Sequence, residues 1–154
     1  MSEIPEQPLA GRLVDDEHHL LVRVYYEDTD FSGVVYYANY MKFFERGRSD
    51  FLRLIGIHHR ELAQMDPPLA FAVAHIDITY KAPARIDDIL LVRSRSTGMK
   101  GAQFFLHQRI ERDGVLLCEA RFDAVCIGFD GRPRRLPKTL ADVINRTVID
   151  ENDA

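Results

Sequence analysis

The chain has 154 residues, 46% of them apolar and 29% charged, with a net charge of −4 at pH 7. That is the length of one domain with a core of its own, and the negative balance argues against nucleic acid or anionic lipid as a partner. No apolar run approaches the roughly 20 residues that cross a bilayer, and the opening MSEIPEQPLAGR lacks the basic and apolar blocks of a signal peptide, so a cytoplasmic location without membrane insertion is expected.

Residues 1–17 hold two prolines and five acidic residues with little periodicity, which predicts a flexible tail ahead of a single domain over 18–148. From His18 the pattern changes: Leu20, Val22 and Val24 alternate with Leu21, Arg23 and Tyr25, as in a strand. Asp28, Asp30 and Gly33 interrupt it. Tyr40, Phe44, Gly47, Phe51 and Ile55 then recur at helical spacing, predicting a helix over 39–55 about 25 Å long. Gly56 is a suitable left-handed stop. Gly47 and Ser49 weaken a helix interior relative to Ala, and close approach to a sheet would account for them.

A short second helix over 58–64 is ended by Asp66-Pro67-Pro68. Residues 71–80 read as a strand whose apolar parity changes near Ala74-His75, the mark of a bulge. Strands over 89–96, 102–110 and 115–129 follow, joined by a reversal at Gly98-Met99-Lys100-Gly101 and by an Asp113-Gly114 hairpin. Residues 139–148 predict a terminal helix.

Several chemistries are poorly supported. Cys118 and Cys126 fall eight apart in one strand, about 26 Å along it, too far to bridge, and no CxxC pair suggests zinc or redox work. The six histidines include two adjacent pairs whose side chains point apart, so no metal site is expected. Ser32 lacks the first glycine of a nucleophile elbow, and no glycine-rich phosphate loop occurs. What stands out is YYEDTDFSGVVYYANY over 25–40, which reads as strand end, turn and helix start. A helix start offers unpaired N–H groups and a positive dipole end, able to hold an oxyanion. A carboxylate just upstream can attack, or aim a water; equally, Asp beside Gly ahead of a helix serves as a cap or turn former.

Strand, long helix and four strands joined by tight turns give an α+β class, one helix against an antiparallel sheet. The run VRVYYEDTDFSGVVYYANYMKFFERGR resembles the signature of the 4-hydroxybenzoyl-CoA thioesterase family of hotdog-fold enzymes, most closely its YbgC-like branch. The likeness continues through AHIDITYKAPARIDD and RRLPKTL, so it covers roughly 20–140. It implies a hotdog fold: a long central helix wrapped by a five-stranded antiparallel sheet, with a short C-terminal helix. It also implies a homodimer, or a homotetramer built from two of them, and an association with the Tol-Pal envelope system on the cytoplasmic side.

The implied activity is hydrolysis of short-chain or aromatic acyl-CoA to free acid and coenzyme A, with an acyl carrier protein as an alternative bearer of the thioester. Coenzyme A is then part of the substrate, and no cofactor is needed. The rivals are a non-catalytic acyl-CoA or acyl-carrier binding module and an enoyl-CoA hydratase on the same fold. The family pattern puts its carboxylate at the second Asp of D-x-D, here Asp30, as general base or nucleophile, with Asp28 a turn or cap residue. Its oxyanion donor is the amide seven positions on, at Tyr37; the YbgC-like branch often has His there, so the role rests on the backbone. Gly33 and Asn39 belong to the same substrate-binding stretch. Val34, Val35, Phe71 and Val73 are the expected apolar lining. Lys100 is a candidate for coenzyme A phosphates, with Arg132, Arg134, Arg135 and Lys138 as a second. Glu45 and Arg48 are expected to pair along the helix.

Overall fold

The computed structural model describes residues 10–150. In chain order these form β1 (Arg12–Val14), β2 (Glu17–Arg23), a 3₁₀ turn (Tyr26–Asp28), α1 (Asn39–Leu54), α2 (His59–Ala63), β3 (Leu69–Tyr80), β4 (Ile89–Lys100), β5 (Gln103–Arg112), β6 (Val115–Gly128) and α3 (Lys138–Arg146). The strands make one six-stranded antiparallel sheet in the order β1-β2-β4-β5-β6-β3. With α1 laid against it, this is the hotdog arrangement.

α1 is amphipathic, and it buries Tyr40, Phe43, Phe44, Gly47, Phe51 and Leu52. Gly47 is where the helix comes down on the sheet. A Cβ there would lie 2.9 Å from Ser94 Oγ and from Val92 Cγ1 and 3.0 Å from Gln108 Nε2, so glycine lets the helix approach this closely without displacing those side chains. Opposite the helix, β6 presents Cys118, Ala120, Phe122, Ala124 and Cys126, all buried. Both cysteines are free thiols. Gly56 ends α1 at φ +93°, and the Ile57 amide returns to the Leu52 carbonyl at 2.8 Å, as a left-handed stop requires.

Two expectations need correction. The sheet has six strands rather than five, because β1 pairs with β2 through Val14 and Glu17. The expected tail over 1–17 therefore already carries structure from Arg12 onward, while residues 1–9 lie outside the described residues. Glu17 is held inside by Arg93 and Arg95, which donate to its carboxylate as ion-pair partners. The reversal after β4 also falls later than the glycines suggest. β4 runs on to Lys100, Gly98 sits at a register shift against β5, and the chain turns at Gly101-Ala102. The bulge in β3 lies where parity predicted it, between Val73 and His75.

β3 closes one edge of the sheet and pairs only with β6. From Val73 onward it is largely uncovered, with Val73, Ile76 and Tyr80 at 43%, 40% and 42% exposure. A long apolar edge of this kind is an open template for another strand. Among the described residues no helix is long and apolar enough to cross a membrane.

Candidate active site

Between β2 and α1 the chain forms a strap, and its two aspartates have different jobs. Asp28 is buried at 8% exposure. Its Oδ2 accepts from the Tyr25 amide at 2.8 Å, closing the 3₁₀ turn, and its carbonyl accepts from the Tyr36 amide at 3.0 Å and from Asn39 Nδ2 at 2.9 Å. Asp28 thus serves as the expected turn and cap residue, and the Asn39 side chain ties that turn to the start of α1. Asp30 faces outward. Its amide donates to the Val34 carbonyl at 2.9 Å and its own carbonyl accepts from Gly33 at 3.0 Å, a turn that requires the φ of +81° at Gly33. Oδ1 of Asp30 accepts from the Ser32 hydroxyl at 2.6 Å and from the Ser32 amide at 2.9 Å. The Ser32 hydroxyl, helped by backbone amides, holds this carboxyl below the usual Asp range, so it is ionised at neutral pH.

The strap is pinned by Val34 bridging to Arg85 and by the Val35 amide donating to the Ala84 carbonyl at 2.8 Å. It leads into α1, whose first residue is Asn39. Among the described residues the Tyr37 amide, two positions ahead of the helix, donates to no acceptor. An unpaired N–H at the positive end of a 16-residue helix is suited to a developing negative oxygen. Around it lie the rings of Tyr36, Tyr37, Tyr40 and Tyr80, with Tyr37 and Tyr80 edge to face at 6.3 Å.

The other expected residues lie elsewhere. Val35 points into the core at 4% exposure. Phe71 and Val73 line a cavity of about 270 Å³ between α1, α2 and the first half of β3. Lys100 is exposed at the same end of the sheet, in a row that runs through Gln103 and Val125 to Ala72. Within one chain the expected site residues therefore fall in two places. Asp30, Gly33, Val34, Tyr37 and Asn39 gather by Tyr80 at the end of β3, while Phe71, Val73 and Lys100 sit by its start. From Val73 to Tyr80 is roughly 20 Å along the strand.

Three side chains that the sequence reading did not assign to the site belong to these two places. Tyr80 hydrogen-bonds the strap, and Arg48 and His59 enter the cavity. The expected Glu45–Arg48 pair does not form. Arg48 instead donates to Gln108 Oε1 at 3.1 Å and stacks over the Phe122 ring at 4.2 Å. Burial lowers its pKa to about 10, against a distant pull from Glu45. A hydratase would need a histidine beside Asp30, and His107 is held by Glu119 at 2.6 Å in the sheet instead. Among the described residues no cluster of three metal-ligating side chains occurs.

Comparison with known proteins agrees with this fold. A sequence profile described as the thioesterase-like superfamily matches residues 24–144. The acyl-CoA thioester hydrolase YbgC of Escherichia coli O6:H1 is 43% identical over 123 residues, 77% of this chain and 89% of its own length. The acyl-CoA thioesterase YbgC of Haemophilus influenzae is 37% identical over 127 residues, 82% of this chain and 93% of its own. The crystal structure of a probable thioesterase from Bartonella henselae superposes with a TM-score of 0.76 at 44% identity, over 79% of this chain and 99% of that one. With the profile spanning most of the domain and this identity sustained along nearly the whole of the relatives, the chain belongs to the thioesterase-like superfamily, in its YbgC-like branch of hotdog-fold enzymes.

Proposed function

We propose that this thioesterase hydrolyses short-chain or aromatic acyl-CoA, with Asp30 as general base or nucleophile and the Tyr37 amide as oxyanion donor, and that it does so as a homodimer. The observation that carries the reading is the uncovered edge of β3 between the two halves of the site. If β3 pairs antiparallel with its own copy about a two-fold axis near Ile76, Phe71 and Val73 of the partner subunit come beside Tyr80. Asp30 and Tyr37 of one chain then share a pocket with the apolar cavity of the other. The same pairing removes an exposed edge.

The chemistry is modest. An ionised Asp30 either attacks the thioester carbonyl, giving a mixed anhydride that water later opens, or takes a proton from the water that attacks directly. In both routes the carbonyl oxygen becomes an anion, and the Tyr37 amide donates to it, an interaction worth about 10² to 10³ in rate at comparable sites. The thiolate of coenzyme A, or of an acyl carrier protein, then leaves with little acid assistance. Lys100 lies at the cavity end of the sheet, suited to the phosphates of coenzyme A. A pair of such dimers would make the homotetramer.

The test is thiol release from a panel of acyl-CoAs by the wild type, Asp30→Asn and Asp28→Asn. Asp30→Asn should lose roughly 10² or more in rate with its melting temperature kept. Asp28→Asn should lose stability before turnover. Full activity in Asp30→Asn removes the assignment, and acyl-CoA binding without thiol release by the wild type would make the protein a binding module.

A further inference from the structure

The cavity behind β3 is apolar along Leu52, Phe71, Phe104 and Leu106, yet α1 sends a guanidinium into it. Arg48 has one hydrogen bond, to Gln108, and one ring contact, with Phe122. No carboxylate of the described residues comes within the 4.0 Å of an ion pair. Gln108 has no more to give, since its Nε2 serves the Phe44 carbonyl at 2.9 Å and Ser94 Oγ at 2.7 Å. A cation drawn out of water without a counterion is costly to keep, and an Arg fork matches a carboxylate through paired N–H donors.

The other titratable groups of the wall leave that position to an incoming anion. Glu45 also lines the cavity, but it is exposed to solvent and reaches Arg48 only at a distance. His59 is pushed below its ordinary pKa by burial, so at neutral pH it is uncharged, and its Nε2 is 3.3 Å from Ser49 Oγ. An apolar trough with an unmatched cation in its wall fits a short methylene chain that ends in a negative group.

We propose that Arg48 determines acyl specificity, by receiving a carboxylate at the far end of the acyl group, as in the coenzyme A monothioesters of short dicarboxylic acids. This rests on the thioesterase reading and on the paired β3 edges, which would bring the cavity of one subunit to Asp30 of the other. The bond cleaved is still the thioester, and Arg48 serves only to hold the distal end of the acyl chain.

Glutaryl-CoA and valeryl-CoA differ at that end and share the whole coenzyme A moiety, so they isolate the contact. The wild type should favour glutaryl-CoA at least tenfold in kcat/KM. Free glutarate should inhibit valeryl-CoA hydrolysis at lower concentration than free valerate does, a measurement that needs no variant. In Arg48→Met the glutaryl-to-valeryl ratio should fall at least tenfold, and Arg48→Lys should recover part of it. A wild type that prefers valeryl-CoA overturns the proposal. So does an Arg48→Met variant that weakens both substrates equally, which would mean Arg48 serves coenzyme A phosphates or the fold. In those two outcomes hydrolysis still depends on Asp30 and the thioesterase reading stands; hydrolysis of neither substrate removes both.

Discussion

The hydroxyl of Tyr80, the last residue of β3, donates to the carbonyl oxygen of Tyr37 at 2.8 Å. One hydrogen bond thereby ties the open edge of the sheet to the residue proposed to hold the oxyanion, so that strand pairing and amide position are mechanically linked. Tyr80→Phe removes that bond and little else. The stability loss should be about 0.5–1.5 kcal/mol, the net worth of a typical hydrogen bond. Turnover should fall by more than this implies, because a small displacement of a catalytic donor is expensive in rate. Denaturant titration beside kcat measurement checks it, and a variant that loses stability with full turnover would separate Tyr80 from the chemistry.

Gly47→Ala sets helix propensity against packing. In an exposed helix the change would stabilise by up to about 1 kcal/mol. Here the added methyl meets Ser94 Oγ and Val92 Cγ1 at 2.9 Å, and Gly47 is buried against the sheet. The clash should win, with a net loss of about 1–3 kcal/mol as in overpacked cores. Chemical denaturation gives the sign directly, and a stabilised variant would contradict the close approach.

Glu17 should make the fold sensitive to acid. Burial alone would raise its pKa, but hydrogen bonds from Arg93, Arg95 and His19 outweigh that and hold it at about 2, against an ordinary 4.5. A carboxyl depressed in the folded state adds stability above the unfolded pKa and loses it as pH falls through the folded one. The window is therefore between about 4.5 and 2, and the contribution is about 3 kcal/mol at neutral pH from the size of that shift. Stability measured against pH should fall through that window in the wild type. In Glu17→Gln it should be lower at neutral pH and flatter through the same range, and parallel curves would rule the network out as the acid sensor.

The parts of this molecule that were legible in its sequence are those specified over short distances. α1 and its landing point follow from apolar spacing and one glycine, and the β5–β6 hairpin follows from Asp113-Gly114. β1 was hidden because its turn to β2 is Asp15-Asp16, at φ +50° and +65°. Asn-Gly or Asp-Gly is the usual sign of such a turn. Glu17 reads as one more acid in an acidic stretch until Arg93 and Arg95, more than seventy positions away, are brought beside it. The candidate residues divide in the same way. Asp28, Asp30 and Tyr37 stand within one motif, whereas Tyr80 meets Tyr37 only once the sheet has formed, and Arg48 and His59 meet only in the cavity by the start of β3. Glu45 and Arg48 have the spacing of a helical pair, but the Phe122 ring and Gln108 draw the guanidinium under the helix, away from Glu45.

The acid limb of the rate profile should report on Ser32. Its hydroxyl donates to Asp30 Oδ1 at 2.6 Å and is the largest influence holding that carboxyl below its ordinary value of 3.8. In either proposed route Asp30 acts as an anion, so kcat/KM should fall only as pH drops through this depressed pKa. Ser32→Ala removes the hydroxyl bond and leaves the backbone amide bond, so the carboxyl should titrate at higher pH and the acid limb should move up with it. Activity at neutral pH stays within the ionised plateau in both proteins, so the midpoint of the limb is what distinguishes them. Rate profiles of the wild type and Ser32→Ala, taken with a stability check at each pH, supply the comparison. Superimposable limbs would mean that the group titrating in catalysis is a carboxylate other than Asp30.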